Sequence, residues 1–218
     1  MKNKLILVVL ATLLSGIIAS SQIPVEAFAG NEKATLDIMF FKFIKNKDGQ
    51  QSNFLFFNRN RTSVDYKMNT TAYLPLFGFT EAFSYNHKKL KGLAPVFVLS
   101  LLNSGVTPKA GIQYSRVKKD FTLFSWVVTE TIKNPKVDIF LLGRFIPKLS
   151  KNWNLFSQLE LIQTLPTVKQ RNFSFTQRIR FGLKLKEFQF GLGIDLAQLG
   201  RNSFTSTQNK GAFLRYEF

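Results

Sequence analysis

The 218-residue sequence contains no cysteine and one histidine, His87. Without thiols no disulfide can form, and no lipid can be attached at an N-terminal cysteine. One histidine and no clustered carboxylates leave little from which to build a transition-metal site. Long apolar runs are missing too, apart from one between Leu5 and Ala19. A helical membrane protein would carry several runs of about 20 apolar residues. Acidic residues are scarce: 13 Asp and Glu stand against 30 Lys and Arg, a formal net charge of +17. Tyr and Trp number only 5 and 2, whereas Phe numbers 24. Apolar residues make up 45% of a chain of single-domain length, enough for a folded body. Mean hydropathy is nevertheless close to zero. That combination suits apolar residues that alternate with polar ones along strands.

The one apolar run reads as an export signal. Lys2 and Lys4 precede it, and Ala27-Phe28-Ala29 supplies a small-x-small cleavage site. The expected organisation is therefore a cleaved signal peptide, 1–29, and a folded body, 30–218. An uncleaved anchor helix is the alternative, but the run is short for a span of about 20 residues. Lys2 and Lys4 against Glu26 leave about +16 of the net +17 on the mature chain. A basic balance invites a nucleic-acid reading, and export argues against one. The basic groups could instead meet anionic lipid headgroups or lipopolysaccharide phosphates, or draw anions to a pore mouth.

Period-two alternation organises the rest, in segments of roughly 10 to 14 residues. From Phe173 to Lys186, one face carries Phe173, Phe175, Gln177, Ile179, Phe181, Leu183 and Leu185. The other carries Ser174, Thr176, Arg178, Arg180, Gly182, Lys184 and Lys186. A strand separates these sets, whereas a helix would mix the arginines among the phenylalanines. Gln177 is the one polar residue on the apolar face, and the sequence gives no reason for it. Phe188 to Ala197 repeats the pattern after a tight Lys186-Glu187 turn, and 137–146 and 153–162 alternate likewise. A soluble sandwich also alternates. These segments are longer than the 5 to 6 residues usual for soluble strands, and a tilted membrane strand needs about 9 to 11. No helical pattern intervenes, and the polar faces are heavily charged, as a watery lumen permits. The expected fold is all-β, an antiparallel transmembrane up-and-down β-barrel.

The final segment, Gly211 to Phe218, puts Ala212, Leu214, Tyr216 and Phe218 on one face and Phe213, Arg215 and Glu217 on the other. Leu214, Tyr216 and the terminal Phe218 resemble the C-terminal assembly signal of bacterial outer-membrane β-barrel proteins. The resemblance implies insertion by the barrel-assembly machinery and residence in the outer membrane after passage through the periplasm. It assigns no activity.

Candidate strands fall at 35–44, 53–66, 73–85, 93–102, 109–117, 121–131, 137–147, 153–164, 173–185, 188–198 and 211–218. Their number is odd, whereas barrels of this kind have even numbers. Either the first segment lies outside the wall, giving 10 strands, or the irregular stretch from 53 to 93 hides one more, giving 12. Counting from a periplasmic C-terminus, the turns around 117–120, 148–152 and 186–187 should be periplasmic. The longer loops 166–172 and 200–210 should face outward.

Little catalytic chemistry is visible. His87 lies in a basic turn, Asn86-His87-Lys88-Lys89, with no serine nearby except Ser84 and no carboxylate partner. Gly191-Leu192-Gly193 sits inside a strand and reads as small lumen-facing residues, not a dinucleotide loop. Asn-x-Ser/Thr triplets at Asn60, Asn69 and Asn172 are no more than chance expects. No catalytic, cofactor or metal residues are assigned. The more informative constellation is a lumen charge network of Asp138, Arg144, Glu160, Arg178, Arg180, Lys184, Asp195, Arg215 and Glu217. Such charges can pair across neighbouring strands, and a narrow barrel would fill its interior with them. The expected function is a structural or interaction role, or limited passive permeability. An anion-favouring porin is the alternative, and a lipid-acting barrel enzyme a weaker one.

Overall fold

The computed structural model describes residues 23–67, 76–103, 105–132, 135–168 and 172–218. The signal run at Leu5–Ala19, Asn69, the first residues of the 73–85 segment and residues 169–171 of an expected loop lie outside the described residues. Twelve strands close into one antiparallel barrel, each paired with its chain neighbours. They are β1 (Pro24–Gly30), β2 (Lys33–Lys45), β3 (Gln51–Asp65), β4 (Leu76–Tyr85), β5 (Leu93–Leu102) and β6 (Gly105–Val117). The second half adds β7 (Phe121–Glu130), β8 (Lys136–Phe145), β9 (Trp153–Pro166), β10 (Phe173–Leu185), β11 (Phe188–Gly200) and β12 (Phe204–Glu217).

The alternation sorts the side chains as a barrel requires. Phe181, Phe188, Leu192 and Leu214 stand exposed on the outer surface, and their neighbours Arg180, Gln189 and Arg215 are buried inside. Aromatic side chains gather on the outside at the end where the chain termini meet. There Phe54 packs on Tyr85 (5.2 Å between centroids), Phe188 on Tyr216 (4.8 Å) and Tyr216 on Phe218 (4.7 Å). Such a girdle marks a membrane interface.

Two boundaries differ from expectation. The wall begins at Pro24, inside the segment assigned to the signal peptide, and β1 is the strand the count was missing. Among the described residues, the stretch from 53 to 93 holds β3, β4 and the start of β5, and the first expected segment is β2. Small residues explain the misreading. Ala27 and Ala29 point outward and look like a cleavage site, while Glu26 and Phe28 point inward and are buried. The second difference is at β12, which starts at Phe204, so residues expected in an outer loop extend the wall. Thr205, Thr207 and Asn209 alternate with Ser206 and Gln208, polar on both faces. They pair by backbone with β11, Ala197 opposite Thr207 and Gln198 opposite Ser206. The connection that remains there is only 201–203.

The barrel closes where β1 meets β12, from Pro24 opposite Glu217 to Gly30 opposite Gly211. Gly211 is required by close approach: a Cβ there would sit 1.9 Å from the Ala29 carbonyl oxygen. At the lower end of the seam, the Ile23 and Phe218 amides each donate to the other's carbonyl, at 3.2 and 3.1 Å. An open edge inside hydrocarbon would leave such groups without partners, at several kcal/mol each. A chain starting at Gly30, or one lacking Phe218, should therefore fail to give the heat-modifiable folded band on electrophoresis that a chain starting at Ile23 gives. A folded band from the Gly30 chain would show that β1 is dispensable.

Candidate functional site: a charge-paired, partly aromatic lumen

The interior is crossed by a chain of alternating arginines and carboxylates. Asp37 of β2 accepts hydrogen bonds from Arg59 Nε (3.2 Å) and Arg61 Nη1 (2.9 Å), both on β3. Arg59 reaches on with Nη1 to Glu160 of β9 at 2.7 Å, and Glu160 also accepts from Arg178 of β10. Arg61 reaches Asp195 of β11 at 2.7 Å. Asp195 accepts from Arg180 Nη1 at 2.8 Å and lies 3.8 Å from Arg178 Nε. The set Arg178, Glu160, Arg59, Asp37, Arg61 and Asp195 thus forms a closed ring of charges. From Arg180 the pairing continues to Glu26 of β1 (2.9 Å), and Glu26 also accepts from Arg215 Nε of β12 (3.1 Å). Gln158 ends the chain, its amide oxygen shared by Arg215 (3.0 Å) and Arg144 (2.9 Å).

β3 and β9 are diametrically opposite in the strand order, so the Arg59–Glu160 pair spans the lumen. Guanidinium suits this role because its fixed fork of donors can hold two carboxylates at once. The arginines also lie on aromatic faces, Arg180 4.0 Å from the Phe28 ring centre and Arg215 4.8 Å from that of Phe156. Gly193 leaves room for this arrangement, because a Cβ there would stand 2.8 Å from Arg180 Cδ and Nη1.

Toward β3–β8 the interior also holds an apolar cluster. Phe57 stacks on Phe124 (5.4 Å, 9° between planes), meets Trp126 edge-on (5.2 Å), and Trp126 packs on Phe140 (5.0 Å). Leu55, Val98, Val128 and Leu142 complete the cluster. Close-packed aromatics and aliphatics fill space as they do in a soluble core.

The space that remains narrows along the axis. At the loop end, away from the termini, a cavity of about 690 Å³ is bordered by Asn31, Lys33, Ser63, Asp65, Thr176 and Thr207. Arg61, Gly78 and Arg178 also border a second cavity of about 260 Å³, floored by Phe57, Trp126 and Phe140. Near the terminus end, the gap among Pro24, Glu26, Met39, Arg144 and Arg215 is about 10 Å³, no more than about one water.

Several of the expected lumen residues meet one another, on adjacent strands or one strand further on. Arg178 and Glu160 pair, Arg180 and Asp195 pair, and Lys184 pairs with Glu217. Arg144 finds Gln158 instead of a carboxylate. Asp138 stands apart from the ring, pairing with Lys109 and accepting from Thr164 at 2.7 Å. Glu26, Asp37, Arg59, Arg61 and Lys109 were not anticipated. Glu26 was hidden in the supposed signal segment. Arg59 and Arg61 alternate with Asn58, Asn60 and Thr62, so no apolar face revealed their direction. An Asp at 37 between Leu36 and Ile38 was the available signal.

His87 caps a short 3-10 turn, Lys88–Leu90, at the terminus end, its Nδ1 accepting from the Lys89 amide at 3.3 Å. Ser84 points into the lumen, where its hydroxyl is bonded by Asn86 (2.9 Å) and Gln113 (2.6 Å). Leu214 and Tyr216 share the outer face of β12 with Phe218 just past its end, and Leu214 and Phe218 are well exposed.

The fold is that of a porin-like transmembrane β-barrel. The chain is similar to the NanC porin, with 8% identity and a TM-score of 0.51 over 90% of this chain and 98% of that one. It is also similar to the KdgM porin (11%, TM-score 0.47, 91% and 99%) and to the β domain of the Bordetella autotransporter BrkA (9%, 0.39, 90% and 98%). No protein-family model matches the chain, and no curated protein matches its sequence.

Breaking a buried ion pair by removing one partner typically destabilises by about 3–5 kcal/mol, because the other charge is left uncompensated. Glu26→Ala leaves Arg215 with no carboxylate and Arg180 with Asp195 alone, and should lower the unfolding free energy of the bilayer-embedded barrel by about that much in urea titration. An unchanged titration would show that Glu26 does not hold the two arginines together.

Proposed function

We propose that this is an outer-membrane barrel with a structural or interaction role and at most limited passive permeability. The Arg59–Glu160 pair across the lumen carries this reading, because it places a charged, hydrogen-bonded bar where an open porin keeps water. The aromatic cluster beside it blocks the rest of the section. Side chains fill small barrels of about 8 strands, and long arginines extend the same solution to twelve. The anion-favouring alternative rests on the net charge of +17, whereas the ring facing the cavities pairs each arginine with carboxylates.

In this reading the terminus end faces the periplasm and the 690 Å³ cavity opens outward. Outer-membrane lipid and lipopolysaccharide surround the aromatic belt. Leu214, Tyr216 and Phe218 serve as the signal to the barrel-assembly machinery. Cleavage of the export signal falls before Pro24, and Ala19-Ser20-Ser21 offers small residues at the required spacing.

Planar-bilayer recording tests permeability. The wild-type barrel should be silent or show only brief, small currents. Phe57→Ala combined with Trp126→Ala removes the apolar half of the plug and should raise conductance. Steady, large conductance from the wild type would overturn the filled-lumen reading.

A further inference from the structure

The lipid-facing surface carries a polar island that the filled lumen does not explain. Asn58 and Asn60 of β3 and Glu81 of β4 lie on the outer face, in step with exposed Phe54 on β3 and exposed Phe79 and Phe83 on β4. Asn58 sits opposite Glu81 on one side and Phe40 on the other, and Glu81 is flanked on β5 by Leu99. Phe40, Phe56, Phe79, Phe83 and Leu99 flank the island, with Thr62 next to Asn60 along β3 and Lys42 diagonal to Asn58 on β2. Four residues separate Glu81 from Tyr85 in the terminus-end girdle. At a rise of about 3.3 Å and a tilt of about 40°, this puts Glu81 roughly 10 Å inside an apolar band about 25 Å tall. Ionisable side chains at such depth are expensive and mark a function.

The internal hydrogen bonds leave the island half satisfied. Asn58 Nδ2 donates to Glu81 Oε1, and Asn60 Nδ2 donates to Asn58 Oδ1 at 3.3 Å. Glu81 Oε2 and Asn60 Oδ1 are buried with no partner among the described residues. Each carboxamide nitrogen has a second N–H. Asn58 itself is buried, so Asn60 and Glu81, both half-buried, are the side chains that can turn their unused groups outward, where lipid chains can meet neither donors nor acceptors. A partner must come from within the membrane, carry both kinds of group, and hold them at this depth.

A second copy of the chain meets all three requirements. Across a two-fold axis, the Asn60 amide of one copy can face the Glu81 and Asn60 oxygens of the other, the self-complementarity an isologous contact needs. Glu81 is only half-buried, so its carboxylate can turn outward to a donor. We infer that the barrel forms a homodimer in the bilayer through the outer face of β3 and β4, centred on Asn58, Asn60 and Glu81.

The absence of cysteine makes the test direct. The full mature protein is reconstituted in phospholipid vesicles as Phe83→Cys, beside the island, or Ile179→Cys, on the outer face of β10. Mild oxidation should join Phe83→Cys into a disulfide-linked dimer and leave Ile179→Cys monomeric. Adding Asn58→Leu and Glu81→Leu should cut the Phe83→Cys dimer roughly ten-fold, since paired polar contacts in membranes contribute about that much. Adding Glu81→Gln, which keeps hydrogen-bonding groups, should preserve it. Heat-modifiable migration confirms folding in each variant. Equal cross-linking at the two cysteines, a leucine variant that dimerises like its parent, or a monomeric mass for the wild type by light scattering would each overturn the inference.

Discussion

The interior depends on a single span, from Arg59 on β3 to Glu160 on the far wall. A buried guanidinium or carboxylate is tolerable only when its donors and lone pairs are occupied. Once Arg59 crosses the lumen, Glu160 needs Arg178, Asp37 needs Arg61, and Asp195 needs Arg61 and Arg180. The pairing does not stop until it reaches Glu26 on the closing strand and Arg215 beside it. Closure of the barrel and filling of its lumen are therefore coupled: β1 supplies both a backbone edge and the carboxylate that completes the network.

The two halves of the interior solve the same space problem differently. On the side of β9–β12, long arginines reach inward and lie over Phe28 and Phe156, and Gly193 yields them room. On the side of β3–β8, Phe57, Phe124, Trp126 and Phe140 interlock ring against ring. Arg59 and Phe57, two residues apart on one strand, join the halves. The outer surface carries a matching exception in Asn58, the residue between them, which points toward lipid.

Legibility in the sequence followed the contrast between faces. β10 and β11 were readable in register because phenylalanine and leucine on one face oppose arginine and glycine on the other. β3 was located but not oriented, since Asn58, Arg59, Asn60 and Arg61 are polar on both faces. The first half of β12, polar on both faces, resembles a loop in the sequence for the same reason. β1 was lost to a different ambiguity: Ala27 and Ala29 satisfy a signal peptidase as well as they satisfy a strand packed against Leu36 and Leu214. The charge network was anticipated as pairs between neighbouring strands. Its reach across the lumen depends on arginine length and on which walls face each other, and neither is encoded in local alternation.

The most direct test of a lumen open at the loop end and filled toward the termini is thiol accessibility in a chain that has no cysteine of its own. Ser63→Cys lies at the 690 Å³ cavity, and Gln189→Cys replaces a fully buried lumen residue hydrogen-bonded to Glu217. A charged, membrane-impermeant thiol reagent applied from the loop side of folded, bilayer-embedded barrels should modify Ser63→Cys rapidly and leave Gln189→Cys protected. Comparable labelling rates at the two positions would mean that water and ions pass the ring of Arg59, Glu160 and Arg178, and would contradict the account.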